Sequence, residues 1–140
     1  MNARFVNPSL EEIGVLLRRV KTIAVVGLSP APNRVSHRVA HALQGFGYRI
    51  VPINPAVSEA LGERAYPDLR ALPEPVDLVD VFRASHHVAG IVDDCIALQW
   101  PALWLQDGVI DEAAALRARS AGLTVVMDRC IYRDYLQLIP

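Results

Sequence analysis

The amino-acid sequence predicts an α/β protein, a doubly wound parallel sheet of five strands in a single domain. Three observations predict it. The chain has 140 residues, enough for one hydrophobic core and too few for two. Five apolar runs of strand length are near-continuous rather than alternating, as in strands covered on both faces. Stretches of helical length lie between them, and strands alternating with helices form parallel sheets with right-handed crossovers.

Each element has a local cause. Ser9-Leu10-Glu11-Glu12 is a capping box, in which Ser9 accepts from the third helical amide and Glu12 reaches back. Leu10, Ile13, Leu17 and Val20 then recur at helical spacing. Thr22 to Gly27 is the first strand, and Leu28 to Asn33 is a proline-stiffened loop. A helix from about Arg34 to Phe46 is expected to bury Val35, Val39, Leu43 and Phe46, with Gly45 and Gly47 ending it. Tyr48 to Ile53 is the second strand, stopped by Asn54-Pro55. Over residues 56–75, Gly62, Pro67, Pro73 and Pro75 allow short helical pieces and a small strand near Ala65.

Val76 to Phe82 is the third strand. The helix from about His86 to Leu98 is expected to take Ser85 as its N-cap and to bury Val88, Ile91, Val92, Cys95 and Ile96. Ala102 to Gln106 is the fourth strand. Asp111 caps an alanine-rich helix to about Ala121, Leu123 to Met127 is the fifth strand, and Ile131 to Leu138 forms a last turn or two. One domain spans residues 1–140, with its core at about 20–130.

Composition narrows the function. The chain is 52% apolar and carries 14 basic against 15 acidic residues, for a net charge of −1. A nonspecific nucleic-acid binder shows a basic excess, so no nucleic-acid partner is expected. No apolar run approaches the ~18 residues of a membrane span. The start, MNARFVNPSLEEIG, lacks the apolar core of a secretory signal. Cys95 and Cys130 form no CxxC, so no zinc site is expected. A cytoplasmic protein with reduced thiols follows. No room remains for a separate substrate domain.

In doubly wound sheets, ligands bind beyond the carboxyl ends of the strands. That rule selects Gly27-Leu28-Ser29, Asn54-Pro55, Phe82-Arg83, Gln106-Asp107-Gly108 and Asp128-Arg129-Cys130. In the first of these turns, Gly27 lets a ligand approach the backbone, and the helix beyond it offers free amides to an anion. Ser29, Asn33 and Ser36 add short donors, and Arg34 adds charge for a pyrophosphate. The plainer reading is a helix cap and a stiff loop. The turn is neither GxGxxG nor Walker A. Asn54 stands where an NAD site carries an acid, so a ligand with a phosphorylated ribose, NADP or coenzyme A (CoA), fits the electrostatics better.

These residues carry a resemblance. The string IAVVGLSPAPNRVSHRVAHALQGFGYRIVPINP resembles the opening of the small CoA-binding domain family, itself similar to the nucleotide-binding domain of the succinyl-CoA synthetase α subunit. Leu61-Gly62-Glu63, Ala65-Tyr66-Pro67, PEPVDLVDVFR, ALWLQDGV and GLTVVMDRC match in order, over about residues 10–135. The resemblance implies a Rossmann-like domain that binds CoA or acyl-CoA. It places Gly27, Leu28, Ser29, Asn33, Arg34 and Ser36 on the diphosphate loop, and Asn54 and Pro55 beside the adenosine. It places Phe82 and Arg83 on the adenine and ribose side, and Gln106 and Gly108 along the pantetheine path. Asp107 departs from the neutral or small residue expected there, and an added carboxylate would weaken binding. No catalytic residue comes with the resemblance, and a protein partner or homo-oligomer is compatible with it.

Cys95 lies on the apolar stripe of its helix and reads as inert. Cys130 reads either as a structural thiol or as one that reaches the sulfur of bound CoA, with Arg129 nearby to activate it. Two other functions therefore stand beside CoA binding. One is an NADP-binding oxidoreductase component. The other is a thiol-redox protein forming a mixed disulfide with CoA through Cys130. His37 and His41, four apart but with no third ligand, read as surface residues, so no metal is expected. Asp80, in an apolar run, is expected to pair with a cation or face the site. Trp100 and Trp104 pack on the sheet or on a second subunit.

Overall fold

A computed structural model describes residues 4–140, so the expectation about the chain start lies partly outside the described residues. The elements follow in order: α1 (Leu10–Arg19), β1 (Thr22–Val26), α2 (Val35–Gly45), β2 (Arg49–Ile53), β3 (Glu59–Ala60), β4 (Glu63–Arg64), β5 (Leu78–Val81), α3 (Val88–Leu98), β6 (Ala102–Leu105), α4 (Glu112–Ser120), β7 (Thr124–Met127) and α5 (Ile131–Leu138). Five strands form one sheet in the order β2-β1-β5-β6-β7. Every neighbouring pair in it is parallel, with Val25 between Pro52 and Asp80, and Trp104 between Asp80 and Val126. β3 and β4 form a separate small antiparallel hairpin, and Ile53 bridges to Tyr66 just beyond it.

The sheet has two buried faces. One packs against α1, α2 and α5 through Ile13, Leu16, Leu17, Leu43, Ile50, Trp104 and Ile131. The other packs against α3 and α4 through Val79, Val81, Val92, Cys95, Leu103 and Ala115. Alternation along each strand divides the residues between them: Leu78 serves the first face, Val79 the second. The capping box of α1 forms in both directions, with Glu12 N to Ser9 Oγ and Ser9 N to Glu12 Oε1 both 3.2 Å. Asp111 caps α4 as expected, accepting from Ala114 N at 3.0 Å. Asp77 receives the amides of Lys21 and Thr22, each at 2.9 Å, and so ties the start of β1 to β5.

Several expectations are corrected. Val35 is 56% exposed rather than part of the buried stripe. It is the first residue of α2, and helical side chains lean toward the N-terminus, so this one points off the end of the helix, away from the core. Ser85 does not cap α3. It opens a 3-10 turn over Ser85–His87, and its hydroxyl accepts from Ile110 N at 2.9 Å. Ile91 and Ile96 are half-buried. The tail is a full eight-residue helix. Both tryptophans are buried within the chain itself. No helix among the described residues is long and apolar enough to cross a membrane.

Candidate functional site

β1 is flanked by β2 on one side and β5 on the other, and the chain leaves these strands toward opposite faces. That is the switch point of a doubly wound sheet. Gly27 sits at its centre with φ +85°. A Cβ there would lie 2.4 Å from the Phe82 carbonyl oxygen, so glycine is required by the close approach of two strand ends. Its amide donates to Ile53 O at 2.9 Å and locks the end of β2 beside it.

The loop beyond folds back on α2. Ser29 N donates to Ser36 Oγ at 3.0 Å, and Ser29 Oγ accepts from Ala31 N at 3.1 Å. Ser36 is buried, and Leu28 is fully buried with its side chain in the core. Leu28 therefore offers the site only its backbone, and its carbonyl accepts from Asn54 Nδ2 at 3.0 Å. Asn54 Oδ1 accepts from Ala56 N at 2.9 Å, so both ends of this carboxamide already hold the turn together. Arg34 is the N-cap of α2 and makes no side-chain cap, so no side chain closes the first turn of the helix. Asn33 and Pro55 are exposed beside it.

Phe82 and Arg83 part company. Phe82 lines a hollow of about 500 Å³ on the α2/α5 side, with Arg34, Val35, Ser36, Gln106, Asp107, Val109 and Cys130. Arg83 faces a hollow of about 530 Å³ on the α3 side, with Arg70, His87, Gly90, Asp93 and Asp94. Consecutive residues leaving a strand point to opposite faces, so one sheet end serves two hollows. Arg83 Nη2 lies 3.0 Å from His87 Nε2, and a guanidinium only donates, so that nitrogen accepts. Partial burial, then Arg83 and His86, hold the His87 pKa below its ordinary value. A smaller hollow of about 230 Å³ beside β2 lies away from the carboxyl ends of the strands.

The first hollow has a built floor. Gln106 is 4% exposed, and its Oε1 accepts from Ile131 N at 3.2 Å, at the start of α5. Because that partner is a donor, the oxygen must face it, and the Nε2 must face the other way. Among the described residues Nε2 has no partner and is not sealed from the hollow. Cys130, half-buried at the N-cap position of α5, shares the hollow. Its backbone is pinned by two neighbours. Arg129 O accepts from the buried Trp104 Nε1 at 2.8 Å, and Asp128, with φ +60°, accepts from Gly108 N at 2.7 Å.

Two charges expected to act on the site are already engaged elsewhere. Asp107 is held by both Arg133 nitrogens at 3.1 and 2.9 Å, so the carboxylate expected to weaken binding is neutralised by α5. Arg129 grips the buried Asp134 through two bonds of 2.7 and 2.8 Å, which takes it away from Cys130. Sequence reasoning missed Val35 and Val109 as lining residues. The place of Val35 directly after the loop, in the first turn of the expected helix, was the available signal.

Asp80 neither pairs nor faces the site. It is fully buried between Val25 and Trp104, and neither oxygen has a hydrogen-bond partner among the described residues. Burial pushes its pKa well above the usual carboxylate range, with the Val81 backbone opposing.

The chain is similar to several known proteins. A CoA binding domain family matches residues 21–135. The uncharacterized protein YneT of Bacillus subtilis is 44% identical over 125 residues, 89% of this chain and 93% of its own. A hypothetical protein from Pyrococcus horikoshii superposes with a TM-score of 0.92 at 31% identity, covering 100% of this chain and 99% of its own. A 75-residue stretch is 32% identical to an ADP-forming acetate–CoA ligase of Archaeoglobus fulgidus, spanning 54% of this chain and 11% of the ligase. With a switch-point glycine, an uncapped helix beside it and a family match over most of its length, the chain belongs to the CoA-binding domain family.

Proposed function

We propose that the protein binds coenzyme A, free or acylated, as a carrier or sensor or as the CoA-binding component of an acyl-CoA enzyme. The observation that carries this reading is the hollow between the N-termini of α2 and α5. Arg34 and the first turn of α2 give it an anion-binding end. Val35, Phe82 and Val109 give it apolar walls. The free Gln106 Nε2 gives it a donor for a carbonyl oxygen. A ligand that joins phosphates to a slender chain with amide carbonyls fits all three, and pantetheine is such a chain. At about 500 Å³ the hollow is of ordinary ligand size.

In this reading the diphosphate lies over Gly27, Ser29, Arg34 and Ser36, with the pantetheine along Gln106 and Gly108. The adenosine lies between the ends of β2 and β5, with Asn54 and Pro55 at one strand end and Arg83 at the other. Calorimetry with CoA, dephospho-CoA and NADP tests it. CoA is expected to bind, with dephospho-CoA weaker because the ribose phosphate is lost. Absence of CoA binding at sub-millimolar concentration overturns the reading. Tighter binding of NADP than of CoA would favour the oxidoreductase component, for which neither the family nor the relatives offer support.

A further inference from the structure

We infer that Cys130 is a thiol–disulfide exchange site for the sulfur end of a pantetheine disulfide, so that the protein captures oxidised CoA covalently. The inference rests on the proposed CoA reading and adds a reaction to it. Three features of the structure carry it. First, the two cysteines are placed differently. Cys95 is sealed in the core, and burial, followed by the nearby Asp94, pushes its thiol up to about 12. Cys130 is half-buried and lines the same hollow as Arg34, Ser36 and Phe82.

Second, an independent group in that hollow awaits a ligand. Gln106 is more than nine-tenths buried, its oxygen is committed to Ile131 N, and its Nε2 opens on the hollow with no partner among the described residues. The Nε2 opens on the hollow, so a ligand carbonyl there gains a hydrogen bond that the protein alone does not supply. Gln106 and Cys130 line the same hollow, so a chain seated on Gln106 runs through the space that Cys130 borders. Third, the backbone on either side of Cys130 is held. The Trp104 indole fixes Arg129 O, and Gln106 fixes Ile131 N. The thiol is thus presented from a fixed frame.

The step balances without another reactant. The Cys130 thiolate attacks one sulfur of CoA disulfide. A bond forms between Cys130 Sγ and that sulfur, and the sulfur–sulfur bond of the disulfide breaks. The other half leaves as CoA thiolate and takes the proton that Cys130 gave up. The small-molecule disulfide is reduced as the protein thiol is oxidised.

The test uses the full chain, reduced and then freed of reductant. Equal concentrations of CoA disulfide and glutathione disulfide are added separately, and the adduct is followed by intact mass and located by peptide mapping. The expected result is one CoA per chain on Cys130, formed about tenfold faster or more than the glutathione adduct, and slowed by excess desulfo-CoA. Cys95→Ala is expected to keep the adduct and Cys130→Ser to lose it. Calorimetry with CoA under reductant runs in parallel. CoA binding with no adduct, or with an adduct on Cys95, overturns this inference and leaves the proposed function standing. Equal rates with both disulfides also overturn it, because Cys130 is then merely exposed. No CoA binding overturns the proposed function, and this inference with it.

Discussion

The two faces of the sheet are made of different chemistry. Against α3 and α4 the buried residues are apolar throughout. Against α1, α2 and α5 lie all the buried polar side chains among the described residues: Ser36, Asp80, Gln106 and Asp134. The first face is the kind of packing that stabilises a fold with nothing to satisfy. The second keeps polar groups that each need a partner, since burying one alone costs about 1–3 kcal/mol. Ser36 has its partner in the loop after β1, Gln106, in the loop after β6, has its partner at the start of α5, and Asp134 has its partner in the turn before α5. Those are the segments that shape the candidate site. The difference teaches that one face holds the sheet together and the other is organised around its carboxyl edge.

The largest effect should come from the paired aspartate. Asp134→Ala leaves the Arg129 guanidinium without its buried partner and is expected to cost about 3 kcal/mol, read by urea denaturation. A cost below about 1 kcal/mol would show that the polar face does not depend on this pair. Asp80 is the contrasting case on the same face. Asp80→Val removes two unpartnered oxygens and is expected to stabilise by about 1–3 kcal/mol in the same assay.

Asp80 also sets a pH slope. Its folded pKa is raised, so the native state binds more protons than the unfolded one, and stability falls as pH rises above about 4. In Asp80→Val that slope should be gone. A variant that keeps the slope would place its origin elsewhere.

Gln106→Leu removes the free Nε2 and the acceptor for Ile131 N. It is expected to weaken CoA binding about tenfold, about 1.4 kcal/mol, by calorimetry. The smallest effect belongs to the α3 side. His87 has a lowered folded pKa, so its contribution is full above the unfolded value of about 6.5 and is lost as pH falls below it. His87→Ala should flatten the stability curve on that acid side and leave CoA affinity within about twofold. A larger loss of affinity would mean that the seat of Arg83 beside the adenosine depends on His87.

Much of this was legible in the residues. The strands were the plainest part. The runs at 22–27, 76–82 and 102–106 are mostly apolar, so both faces of each must be covered, as in a parallel sheet between helices. The capping signals of Ser9 and Asp111 worked because they act over three residues. Ser85 failed by the same logic, because its hydroxyl found Ile110 N across the fold rather than its own helix. Gly27 was read as a place for a ligand to approach, and its nearer cause is the Phe82 carbonyl.

By itself the sequence determined the order of strands and helices, the edge of the sheet at which to look, and the family through its motifs. These depend on periodicity and on short-range turn chemistry, which a chain carries in its own neighbours. Only the tertiary structure decided which charges are free. Asp107 is neutralised by Arg133, and Arg129 is claimed by Asp134. Phe82 and Arg83 look into different hollows, and Asp80 is buried with nothing to bond among the described residues. The physical reason is that a side chain's partner is set by which elements pack together, and the packing of α5 onto the sheet brings residues from distant parts of the chain within a hydrogen bond of one another.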